Sequence, residues 1–172
     1  MNASNNVQAL AKRFELFNRQ LIGFVEQCAE ADWRKVTKAE GWSVGVTVHH
    51  IGVMHYPLIK WVQLLVEGKA APPVTMAMID EMNAQHAQAH ANCTPSEVLE
   101  ILCSEGDKAL VYLLTLGDED LKRQGYLKVF DTTMSAGQFF TLAFIDYAND
   151  HLASMQATVA GQPMPAHEPD SL

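Results

Sequence analysis

From Val7 onward, apolar side chains fall at Val7, Leu10, Phe14, Phe17, Leu21, Phe24 and Cys28, alternating steps of three and four without a miss. Only an α-helix brings such positions to one face, because a strand sends successive side chains to opposite faces. The spacing predicts a helix to about Asp32 with a long apolar stripe. A stripe of that length must be covered by further elements, and the sequence supplies them as helices.

Ser43 is placed to cap a second helix, about Val44 to Glu67, which Gly68 closes. Pro57 inside it removes the donor for the Val53 carbonyl and predicts a bend. After Pro72 and Pro73 comes a shorter amphipathic stretch, Ala77 to about Ala91. Thr94-Pro95-Ser96-Glu97 reads as a capping box with proline at the first helical position, opening a helix to about Leu116 that Gly117 ends. Ser135 and Gln138 make another capping box, after which Phe140, Phe144, Tyr147, His151, Met155 and Val159 trace one face of a last helix, stopped by Gly161 and Pro163. Between these helices, the apolar alternation around Tyr126, Leu127, Val129 and Phe130 fits a connecting hairpin, too short to carry a sheet of its own. The reading is a single all-α four-helix bundle over residues 1–161, with a short extra helix before the third long one. A polar tail, 162–172, contains His167.

Composition excludes several function classes. A net charge of -8 with twelve scattered Lys and Arg residues offers no basic stripe for a phosphate backbone, so nucleic acid is not expected as a partner. The three cysteines, Cys28, Cys93 and Cys103, are odd in number and far apart, which fits neither a disulfide framework nor a zinc ribbon and points to a reducing cytoplasm. The N-terminal segment lacks the pattern of a secretory signal, and no apolar run is long enough to span a bilayer, so no membrane association is expected. Cys28 continues the first stripe and reads as core. Met76, Met78 and Met82 read as packing, and no phosphate loop or nucleophile elbow is present.

Chemistry is suggested by two histidines on stripes that ought to be apolar. On the second helix Val46, His50, Val53, Pro57 and Trp61 share a face; on the last, Phe144, Tyr147, His151 and Met155 do. An imidazole taken out of water needs hydrogen-bond partners or a metal, and bundle cores are where facing helices assemble metal sites. The plainer reading of each is a satisfied core histidine. His86 and His90 have the i, i+4 spacing of a chelating pair, but Gln85, Gln88 and Asn92 around them favour a solvated face. His49 precedes His50 and so points elsewhere, and His55, beside Ile51, Leu58 and Val62, reads as edging the core.

The run Gly41-Trp42-Ser43-Val44-Gly45-Val46-Thr47-Val48-His49-His50-Ile51 resembles the second-helix signature of the DinB/YfiT-like superfamily, and Asn149-Asp150-His151-Leu152-Ala153 resembles its fourth-helix signature. Helix order, the Asn83 segment and the Leu-Gly-Asp-Glu-Asp-Leu run at 116–121 extend the resemblance over nearly the whole chain. It implies an up-down-down-up type four-helix bundle, commonly a homodimer, with a divalent metal held by three histidines. It further implies thiol transfer or hydrolysis on a small thiol or its conjugate. Carried over by position, His50 is the first ligand and His151 the last. Tyr147 stands where the middle histidine belongs.

Neutral tyrosine is a poor ligand for zinc or nickel. Three outcomes follow: Tyr147 binds as a phenolate and favours iron, a carboxylate such as Asp146 or Asp150 substitutes, or the metal is lost. With metal retained, Tyr147 is also placed to act as a catalytic acid one turn from His151. With metal lost, the alternative is a non-catalytic bundle that binds a small ligand or acts through its dimer surface.

Overall fold

In a computed structural model, which describes residues 4–163, the chain folds around four long helical stretches. Helix α1 (Asn5–Gln27) opens at Ser4, whose hydroxyl accepts from the Val7 N–H, and it buries Val7, Leu10, Phe14, Phe17, Leu21 and Val25. The helix stops short of the expected Asp32 because Cys28 turns extended. Cys28 is therefore a half-buried cap rather than core, and a separate turn, α2 (Glu30–Trp33), follows.

Helix α3 (Val44–Val66) starts under the predicted Ser43 cap, and α4 (Met76–Ala89) lies on the surface with no fully buried residue. The Thr94–Glu97 capping box opens α5 (Pro95–Leu114) with Pro95 in its first turn. A short α6 (Asp118–Lys122) leads into the hairpin of β1 (Gln124–Leu127) and β2 (Thr132–Ser135), which pair antiparallel with Leu127 opposite Thr132. The Ser135–Gln138 box then opens α7 (Ala136–Thr141). Leu142–Asp146 form a π-helical turn, and α8 (Tyr147–Ala160) completes the chain, ending at Gly161 with φ 66°. No described helix is long and apolar enough to cross a membrane. Most of the predicted tail, His167 included, lies outside the described residues.

The π turn changes which residues of the last helix face inward. A wider turn holds an extra residue, so the apolar stripe leaves the expected register and runs Phe140, Phe144, Ala148, Leu152, Met155. The expectation that Tyr147 faces inward is thereby corrected: it is 46% exposed, with its ring 6.3 Å from Phe130. On α3 the buried stripe runs Val44, Val48, Ile51, His55, Ile59, Val62 and Leu65, with Val46 and His49 buried beside it near the N-terminus, while Val53, Pro57 and Trp61 of the predicted face are only half-buried.

Two apolar clusters fill the bundle. One gathers Phe14, Val62, Leu113, Phe140 and Phe144; the other gathers Leu21, Trp33, Val48, Leu102 and Met155. Trp33 ties the second cluster together, lying so close to Gly45 that a Cβ there would stand 2.5 Å from the indole. Its Nε1–H donates to the Cys93 carbonyl at 2.9 Å. The loop from α2 to α3 is closed by a bridge between Val36 and Ser43, with Gly41 turning it at φ 71°.

His55 does not edge the core. It is 2% exposed, stacked on Phe144 and edge-on to Phe14, and neither ring nitrogen has a hydrogen-bond partner. Burial lowers its pKa from 6.5 to about 4. A depressed histidine pKa means that the unfolded chain takes up the proton first, so stability present above pH 6.5 is lost as pH falls toward 4. His55→Leu is expected to abolish that component. In urea melts the wild type should lose about 3 kcal/mol more than the variant between pH 7 and pH 4; equal losses would mean that the buried imidazole has no such effect.

Candidate metal centre

Five histidines collect where the N-terminal half of α3, the end of α4 and the middle of α8 meet. His49 and His50 are adjacent on α3 and so project about 100° apart. That divergence lets one helix serve two groups of side chains at once.

On one side His49 meets His86 and His90, which lie one turn apart at the end of α4, with His90 as its C-cap. His49 Nδ1 is 3.4 Å from His86 Nε2, and the His49 and His90 rings stack at 3.9 Å. One nitrogen from each of the three lies within 4.8 Å of the others. His49 is buried and the other two are half-buried, so the solvated face expected for His86 and His90 is corrected. Helix α4 presents that face to α3. The Val46 backbone carbonyl accepts a hydrogen bond from the His86 ring.

On the other side His50 meets His151, their ring centroids 6.0 Å apart and nearly perpendicular. Trp42 walls this side, 5.2 Å from His50 and 6.4 Å from His86. His86 links the two groups, its ring centre 5.3 Å from that of His50. Behind His151 lies Glu40, from the loop before α3, with a side chain only 7% exposed. Its two oxygens are 2.8 Å from His151 Nδ1 and 2.8 Å from Ser154 Oγ.

Electrostatics favour the neutral form of His49, His50 and His86 and the ionised form of Glu40. Burial, followed by the neighbouring His90 and His86, lowers the His49 pKa to about 4. Burial with His151, His86 and His49 alongside lowers that of His50 to about 3. His86 is lowered too, by burial and then by His90, against the Val46 hydrogen bond, which raises it. Burial would raise Glu40, but hydrogen bonds led by that from His151 overcome it and hold the carboxyl at about 2. Ionised Glu40 carries no proton, so Nδ1 of His151 must.

A family model for the DinB superfamily matches residues 13–155. The chain belongs to the DinB superfamily. Among solved structures it is similar to YfiT from Bacillus subtilis, described as "a probable metal-dependent hydrolase with an unusual four-helix bundle topology". The two are 19% identical, the match covers 95% of this chain and 93% of that one, and the TM-score is 0.71. Likeness at that identity shows the fold, and it agrees with the four-helix bundle read from the sequence. No curated protein matches the chain.

Of the residues singled out in the sequence of this DinB bundle, His50 and His151 are brought together and Tyr147 turns toward Phe130. Sequence reasoning passed over Glu40, and it read His49, His86 and His90 as bystanders. The one available signal was the i, i+4 pair at 86 and 90, whose partner on α3 only the docking of α4 reveals.

NMR titration of the ring Cε1–H signals in metal-free protein checks this electrostatic picture. His49 and His50 should remain neutral at pH 5, with midpoints at about 4 and about 3. Midpoints near 6.5 would show that these rings are not desolvated.

Proposed function

We propose that this chain is a metal-dependent enzyme of the hydrolase or transferase kind, with one divalent cation held by His49, His86 and His90. The observation that carries this reading is the set of three imidazole nitrogens, drawn from two helices, within 4.8 Å of one another. Two nitrogens bound tetrahedrally to one zinc at ordinary bond lengths stand about 3.3 Å apart, and His49 Nδ1 and His86 Nε2 are 3.4 Å apart.

Three further features fit a cation here. Metal-bound imidazoles usually give their second N–H to a carbonyl or carboxylate, and the Val46 backbone offers the His86 ring such a partner. The α4 C-terminus, where His86 and His90 sit, is the negative end of the helix dipole. His49 and His86 have lowered pKa values and so need not shed protons to bind at neutral pH. Nitrogen donors suit zinc or nickel, and a three-histidine set with two half-buried members leaves a position for substrate.

When bound, the cation supplies Lewis acidity, making a water or a small thiol more acidic at neutral pH. The chain's own residues do the rest. Trp42 lies against His50 and His86 and shields that side of them from water, strengthening the polar contacts there. His50, neutral and next to His86, can orient a bound molecule by hydrogen bonding. Small thiols and their conjugates are the substrate class that the family resemblance favours.

The test is metal stoichiometry by plasma mass spectrometry after loading with zinc or nickel and desalting. Wild type should hold close to one equivalent, and His86→Ala should lose it, with affinity down by two orders of magnitude or more, whereas His151→Ala should keep it. Loss in His151→Ala with retention in His86→Ala would move the metal to the positions that the resemblance implies. No metal in wild type under either loading would favour the non-catalytic, ligand-binding bundle.

A further inference from the structure

Glu40 is an anomaly that the metal reading leaves unexplained. A nearly buried, ionised carboxylate sits in the loop between α2 and α3 with both oxygens engaged, one by His151 Nδ1 and one by Ser154 Oγ, each at 2.8 Å. Burying a charge is costly unless it is paired, and an apolar residue packed against the middle of α8 would cost less. If the contact were only a tie between loop and helix, nothing would require an imidazole that keeps 28% of its side chain open to solvent.

We propose that Glu40 is a positioning residue that fixes His151 in its Nδ1–H tautomer, so that Nε2 holds a lone pair and accepts a proton from a molecule bound beside the histidine cluster. The catalytic use of the pair rests on the enzymatic reading above; its geometry does not. An ionised carboxylate can only accept, so the proton between it and His151 belongs to Nδ1, and a neutral ring then has its lone pair on Nε2. Ser154 donates to the second carboxylate oxygen and stops the carboxylate from rotating away. His151 reaches the cluster through a single ring, with His50 6.0 Å from it and His86 5.3 Å beyond that.

The step balances simply. A water or thiol passes its proton to Nε2, its lone pair stays behind as the nucleophile, and the resulting imidazolium keeps its Nδ1–H on the Glu40 carboxylate, which offsets the new charge. Later return of that proton to the leaving group restores the neutral ring. Ser154 serves the carboxylate rather than the reacting molecule, so this is a two-residue relay with a supporting hydroxyl.

Glu40→Gln is the informative change, because it keeps shape but replaces one acceptor with an amide donor. The amide oxygen of the variant can still take the Ser154 hydroxyl, leaving the NH₂ to face Nδ1 and drive the ring proton to Nε2. Two readouts follow that mere packing of the loop against α8, without this hydrogen bond, would not move. Nitrogen-15 spectra of the imidazoles should show His151 as the Nδ1–H tautomer in wild type and the Nε2–H tautomer in Glu40→Gln. Carbethoxylation of His151 by diethyl pyrocarbonate at pH 7, followed by peptide mass spectrometry, should slow on the order of tenfold or more in Glu40→Gln and recover in Glu40→Asp.

An Nε2–H tautomer in the wild-type protein would overturn the proposal without any variant, as would an unchanged tautomer and carbethoxylation rate in Glu40→Gln. Zinc titration separates this inference from the metal reading. If His151→Ala loses the metal, His151 is a ligand and not a proton acceptor, and the proposal falls. If wild type binds no zinc while both imidazole readouts come out as expected, the metal reading fails alone and the dyad stands.

Discussion

The hydrogen bond from the Trp33 indole to the Cys93 carbonyl, made at 2.9 Å in a buried setting, holds together everything that places the histidines. The indole lies against Gly45 in the first turn of α3, where any larger residue would drive it out. It also grips the turn after α4, where the Cys93 N–H in turn bonds the His90 carbonyl at 3.0 Å. One side chain thus sets the distance between the start of α3 and the end of α4. His49 and His50 ride on the first of these helices, and His86 and His90 on the second. The loop that carries Glu40 and Trp42 begins immediately after Trp33 and must return within ten residues to start α3 at Val44, which delivers both side chains to the same end of the bundle.

This arrangement divides the region into a neutral part and a charged part. Imidazoles packed against one another cannot share protons without repulsion, so burial and mutual proximity hold His49, His50 and His86 neutral. Those are the conditions a cation-binding site requires of its ligands. The buried negative charge sits on Glu40, where hydrogen bonds led by that from His151 stabilise it. A bundle can carry so many polar groups because they cluster at one end, while the other apolar cluster around Phe14, Phe140 and Phe144 supplies an uninterrupted core. His55 is the exception inside that core, and it remains a neutral ring stacked as an aromatic.

Much of the fold was legible in the sequence because it is written in local rules. The stripe from Val7, the Ser43 cap and the boxes at Thr94–Glu97 and Ser135–Gln138 depend only on residues a turn or two apart, and each helix starts where they indicate. The site was less legible because it depends on register and docking. A π turn at Leu142–Asp146 leaves no periodic signature, yet it moves Tyr147 outward. Polar neighbours made the face of His86 and His90 look solvated, although the partner that half-buries it, His49, lies on another helix. Glu40 sits in a polar loop segment, where one carboxylate looks like any other until α8 is packed beside it.

The claim that His49, His86 and His90 form the metal centre is tested most directly by a crystal structure of the zinc-loaded protein, with anomalous data collected on both sides of the zinc edge. The account predicts one strong anomalous peak among those three rings, with His151 Nδ1 still on Glu40. A peak between His50 and His151 instead, or none at all, would contradict it.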